Sequence, residues 1–134
     1  MKKLKGLIIL LFISLSLFGL TACKQENDNT PITYEQISAQ TAKEIMDNSN
    51  DYIIIDARTN EEFAEGHIKN AVNLDYEDVE EKANVLLPDK NQLILVYCRS
   101  GRRSKIAAQA LINLGYTNIK EFGGIIDWPY ETEK

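Results

Sequence analysis

The residues best placed for chemistry lie in YCRSGRRS, Tyr97 to Ser104, where Cys98 follows an apolar run and is surrounded by Arg99, Arg102 and Arg103. A cysteine at that boundary meets backbone N–H groups that have no carbonyl partners. The helix read from about Ser104 onward adds the positive end of its dipole, and the arginines add full charge. All three favour thiolate over thiol. Gly101 lets the turn point successive N–H groups inward, so the loop is also a cradle for an anion. A cysteine serving only as a small apolar filler would have apolar neighbours.

The elements that must hold this loop follow from the pattern around it. Ser38 reads as the N-cap of a helix carrying Ala42, Ile45 and Met46 on one face, and Tyr52–Asp56 is a short apolar strand ending on a charge. Thr59 and Glu62 have capping-box spacing and Gly66 suits a left-handed C-cap, which predicts a helix over 60–65. Ala71–Leu74 is a brief strand, and Tyr76–Leu87 a helix stopped by Pro88. Gln92–Tyr97 is the most apolar strand and the expected centre of the sheet. Ile106, Ala107, Ala110, Leu111 and Leu114 fall at helical spacing up to Gly115. A strand in NIKEF and a short segment from GGIIDW complete the chain.

This alternation predicts an α/β fold with three layers: a central, mostly parallel sheet and helices on both faces. Chemistry in such sheets sits at the carboxyl ends of strands, where Asp56 and Cys98 both fall.

The chain has 134 residues, 44% of them apolar and 26% charged, and a net charge of −5. That composition suits one globular domain. The start reads differently. Lys2, Lys3 and Lys5 precede an apolar run from Gly6 to Leu20 that is too short to span a bilayer comfortably, so residues 1–22 read as a signal peptide. Leu20-Thr21-Ala22-Cys23 resembles the lipobox of bacterial lipoproteins. That resemblance implies lipidation of Cys23 and a protein held outside the cytoplasm by its lipid. Residues 23–31 then form a tether and 32–134 the domain.

Loss of the three lysines makes the balance more negative than −5, which disfavours nucleic acid and anionic headgroups as partners. With Cys23 lipidated, Cys98 is the sole free thiol and His67 the sole histidine. An internal disulfide is thereby excluded, and no Cys/His metal site can be assembled. No cofactor is called for.

Three segments together resemble the rhodanese family of sulfurtransferases: YCRSGRRS, the stretch IIDARTNEEFAEGHIKNAVNL from Ile54 to Leu74, and FGGIIDW. The likeness runs from about Ile32 to Trp128. It implies that Cys98 attacks a sulfane sulfur and carries it as a persulfide. The main-chain amides of Arg99, Ser100, Gly101, Arg102, Arg103 and Ser104 would hold that sulfur, with Arg103 closing the loop. Arg99 and Arg102 would draw in a small anionic donor such as thiosulfate, and Asp56 with Arg58 would be an ion pair that orders the loop.

His67 is expected to be structural, and Phe122 and Trp128 to belong to the core. The domain is expected to act as a monomer on a small sulfur-containing anion or a protein persulfide. Two other readings compete. One is a non-enzymatic sulfur-carrier or protein-binding module; the other is a phosphatase or arsenate reductase. In a protein-tyrosine phosphatase the phosphate-binding arginine falls where this chain has Ser104, so the loop here is one residue shorter.

Overall fold

The computed structural model describes residues 31–134. The signal-peptide and lipidation expectations, Cys23 included, lie outside the described residues, as does the tether up to residue 30. No helix among the described residues is long and apolar enough to cross a membrane.

Eleven regular elements follow in chain order: β1 (Glu35–Gln36), α1 (Ala39–Asn48), β2 (Ile53–Asp56), α2 (Asn60–Glu65), β3 (His67–Ile68), β4 (Val72–Asn73), α3 (Val79–Leu86), β5 (Ile94–Cys98), α4 (Arg102–Asn113), β6 (Ile119–Gly124) and β7 (Thr132–Glu133). A 3-10 turn, Ile125–Asp127, follows β6.

Five strands form one sheet in the order β1-β6-β5-β2-β4, every neighbouring pair parallel. β5 is the middle strand, and all five of its residues are buried. Alternation along it divides the core into two clusters. Ile94, Val96 and Cys98 face α3 and α4, packing with Ala83, Leu87, Ala107 and Leu111. Leu95 and Tyr97 face α1, packing with Ala42, Phe122 and Trp128. The expected three-layer α/β arrangement is the one observed, and Phe122 and Trp128 are core residues.

Local signals set most boundaries. Ser38 caps α1 by accepting from the Thr41 N–H at 3.0 Å. Thr59 and Glu62 form the full capping box, and α2 spans the residues expected. Gly66 differs: at φ 151° and ψ 140° it ends α2 in a positive-φ conformation that favours glycine but lies outside the left-handed helical cap. The helix expected from Tyr76 begins only at Val79, because Asp75 to Asp78 form a turn. β1 and the antiparallel β3–β7 pair were not expected; each has two residues per strand, too few to show a period.

One irregularity lies beside the cysteine. Val96 pairs with Glu121, but Cys98 pairs with Gly124, so β6 holds one extra residue. Gly123, at φ 90°, absorbs it, a bulge that re-aims the end of β6.

Candidate active site at the end of the middle strand

Cys98 is the last residue of β5, and the chain turns from it into α4 within three residues. The helix starts at Arg102, two residues earlier than expected, because Gly101 takes the N-cap position at φ 102° and ψ −15°. That backbone conformation is open to glycine and costly for other residues. Here it turns the Gly101 N–H onto Cys98 Sγ at 3.0 Å. Gly124 is equally constrained from the other side. A β-carbon there would lie 2.0 Å from the Arg99 carbonyl oxygen, so β6 packs its bare backbone against the loop.

Cys98 has 1% of its surface exposed, its flank packed into the apolar cluster and its sulfur turned toward the loop. Burial pushes the thiol up. Its side-chain contact with Ser104 and the N–H groups of Ser104, Gly101 and Ser100 outweigh it, and the net direction is down. The downward direction comes from these local hydrogen bonds.

Ser104 lies beneath the loop, fully buried. Its Oγ is 3.4 Å from Cys98 Sγ, 2.6 Å from Glu121 Oε1 and 3.0 Å from the Gly101 carbonyl oxygen. In a phosphatase loop this position would present an arginine to phosphate. A buried serine beside a carboxylate does the opposite.

Arg103, expected to close the loop, is turned instead to α2. Its guanidinium donates to both oxygens of Glu62 on α2, at 2.6 and 2.8 Å, and is thereby committed to that carboxylate. The hydrogen bond from Arg103 holds the Glu62 carboxyl down at about 2. Glu62 Oε2 also accepts from the Thr59 N–H at 3.0 Å, so one side chain caps α2 and anchors α4. A carboxylate lowered on folding adds stability that is complete above its unfolded value and vanishes as the pH falls through its folded value. Glu62→Gln is thus expected to melt below wild type near neutrality, with the gap closing as pH drops from about 4.5 toward about 2. Melting by circular dichroism across that range checks it, and a gap independent of pH contradicts it.

Arg99, Ser100 and Arg102 are exposed around the mouth. With Arg103, Thr59, Tyr76 and the acidic Asp75 and Glu77 they line a cleft of about 430 Å³, where the Arg102 guanidinium sits 5.8 Å from the Tyr76 ring centre.

Asp56 and Arg58 form the expected ion pair, with Arg58 Nη2 2.7 Å from Asp56 Oδ2 and both side chains buried. It reaches the cysteine stretch only at Tyr97, and among the described residues no hydrogen bond joins the pair to Arg99 through Ser104. Asp56 is in register with Tyr97, on the sheet face opposite Cys98. Its Oδ2 accepts from the Tyr97 hydroxyl at 2.6 Å, and that hydroxyl accepts from the Ile68 N–H at 3.0 Å. Arg58 also donates to the Gly66 carbonyl at 2.6 Å. The pair ties the ends of β2 and β5 to the α2–β3 turn.

His67, expected to be structural, is buried against α2. Its ring stacks on Phe63 at 3.8 Å between centres, and its Nδ1 lies 3.0 Å from the Phe63 carbonyl oxygen. Among the described residues no group of acids, cysteines or histidines could hold a metal ion.

Comparison with known proteins places this architecture. A family model described as Rhodanese-like domain matches residues 38–129. The thiosulfate sulfurtransferase PspE of Escherichia coli is 37% identical over 73 residues, which are 54% of this chain and 70% of that protein. The adenylyltransferase and sulfurtransferase UBA4 of Candida albicans is 34% identical over 100 residues; the match spans 69% of this chain and only 23% of that protein. A solved rhodanese with anions from E. coli superposes with a TM-score of 0.58 at 34% identity, covering 62% of this chain and 98% of that one.

Proposed function

This chain belongs to the rhodanese-like domain family, and from that footing we propose that it transfers sulfane sulfur from thiosulfate or a related donor through a persulfide on Cys98. One observation carries the reading: Cys98 Sγ accepts a main-chain N–H at 3.0 Å in a loop whose mouth holds the exposed Arg99 and Arg102.

The chemistry needs one nucleophile. Cys98 thiolate attacks the outer sulfur of thiosulfate, the sulfur–sulfur bond of the donor breaks, and sulfite leaves with the bonding pair. The transferred sulfur stays on Sγ as a persulfide anion, where the N–H groups of Ser100 and Gly101 and the positive end of α4 face it. A second thiophile then attacks that outer sulfur, and Cys98 departs as thiolate. A sulfur held at low pKa is a good leaving group in this second step. Arg99 and Arg102, exposed at the mouth, attract the dianionic donor, whereas Arg103 positions the loop through Glu62.

The test is thiocyanate release from thiosulfate and cyanide by the purified chain. Turnover supports the reading. No turnover with Cys98 reduced, and unchanged capture of a protein partner by Cys98→Ser, would favour a binding module instead.

We further propose that the domain works outside the cytoplasm, held to a membrane through lipid on Cys23. The basic start, the apolar run and Leu-Thr-Ala-Cys support it. Cells given a labelled fatty acid are expected to mark the wild-type chain and leave Cys23→Ser unmarked; label in both would contradict the anchor.

A further inference from the structure

Glu121 is 3% exposed on β6, on the sheet face that carries Cys98 and α4. Among the described residues no lysine, arginine or histidine nitrogen lies within 4.0 Å of it. A buried carboxylate without a counter-ion is costly, so its hydrogen bonds must hold it. Oε1 accepts two of them, from the Gly123 N–H at 2.8 Å and from the Ser104 hydroxyl at 2.6 Å.

The Ser104 hydroxyl carries one proton. At 2.6 Å from a carboxylate that proton points to Glu121, in the range of charge-assisted O–H···O⁻ bonds. The oxygen lone pairs are then turned toward Cys98, whose S–H donates to Ser104 Oγ at 3.4 Å. This arrangement suits the thiol. A thiolate has no proton to give and needs the serine hydroxyl as a donor, so its formation requires the hydroxyl to leave Glu121.

We propose that Glu121 is a positioning residue that competes with Cys98 for the single proton of the Ser104 hydroxyl, and so restrains the nucleophile until the loop commits to reaction. On ionisation the S–H bond breaks, its proton goes to solvent, and the Ser104 hydroxyl rotates from Oε1 to Sγ. The other charges around Cys98 are Arg103 on α4, Glu62 through Arg103, Asp75 near Arg103, and Arg99, Arg102 and Glu77 in the cleft at the mouth. Asp56 lies on the far face. Ser104 touches Glu121 and none of those.

This inference deepens the sulfur-transfer reading and rests on it for its purpose, but its test does not use turnover. Glu121→Gln keeps the shape and an acceptor at Oε1 while removing the charge. The ionisation midpoint of Cys98, read from thiolate ultraviolet absorbance against the Cys98→Ser chain, is expected to fall by about half a pH unit or more. In a Ser104→Ala background the same substitution is expected to move it by at most about a third as much, because the coupling runs through the hydroxyl. In wild type the side-chain carboxyl carbon resonance of Glu121 is expected to shift with the Cys98 midpoint, a readout that needs no variant to fold.

No downward shift in Glu121→Gln, an equal shift in both backgrounds, or a Glu121 resonance indifferent to Cys98 ionisation overturns the proposal. Thiocyanate release is measured separately. Its absence alongside the shifted midpoint sinks the sulfur-transfer reading and leaves the competition standing.

Discussion

Cys98→Ser is expected to lose thiocyanate formation from thiosulfate and cyanide by on the order of a thousandfold or more, with the fold intact. A serine hydroxyl in that loop keeps the shape and accepts the Gly101 N–H. It ionises far less readily than a thiol and is a poor nucleophile toward sulfur. The loss therefore falls on chemistry and not on binding: an inert anionic analogue of the donor is expected to bind the variant about as well as wild type. Because 99% of the Cys98 surface is buried and its flank packs in the apolar cluster, the smaller oxygen leaves little void, and melting should change modestly. Retained turnover in Cys98→Ser would move the reaction elsewhere.

Asp56→Ala is expected to cost about 3–5 kcal/mol of folding stability, the range for breaking a buried ion pair by deleting one partner. Arg58 is 6% exposed and would keep a buried charge with the Gly66 carbonyl as its remaining partner. Tyr97 would lose the acceptor of its hydroxyl on the face opposite Cys98. Burial and the Asp56 carboxylate both push the Tyr97 phenol up, so it stays neutral and cannot substitute for the missing anion. A domain of this size has a stability of roughly 5–15 kcal/mol, so the variant sits near the threshold of folding. Urea unfolding measures the loss; a change below about 1 kcal/mol would show that solvent reaches Arg58.

These expectations draw on features of very different visibility in the sequence. The middle strand was legible because QLILVY is apolar on both faces, which only a strand covered by helices on both sides requires. α2 was legible to the residue because Thr59 and Glu62 satisfy its first N–H groups through side chains of recognisable type. The loop was legible through its glycine and arginines.

What escaped depends on pairings remote in sequence. Glu62 was read as a cap, and its ion pair with Arg103 spans 41 positions. Its membership in the Glu-x-x-x-Gly-His-Ile segment was the available signal. Glu121 was unremarkable within NIKEF, since alternation shows that it opposes Phe122 but not that its face is buried. The Asp56–Arg58 pair is legible as a pair, whereas its face follows only from register: strand parity puts Asp56 with Tyr97, one residue from the cysteine and on the other side of the sheet. The start of α4 was placed late because the left-handed Gly101 caps the helix through its backbone, without a side-chain signal.

The central claim, a sulfur-carrying Cys98, is tested most directly by intact mass spectrometry of the reduced, purified chain after thiosulfate treatment. One added sulfur, mapped to the peptide holding Cys98 and released as thiocyanate by cyanide, is the result expected. An unchanged mass with Cys98 reduced, or an added sulfur that persists in Cys98→Ser, would contradict it.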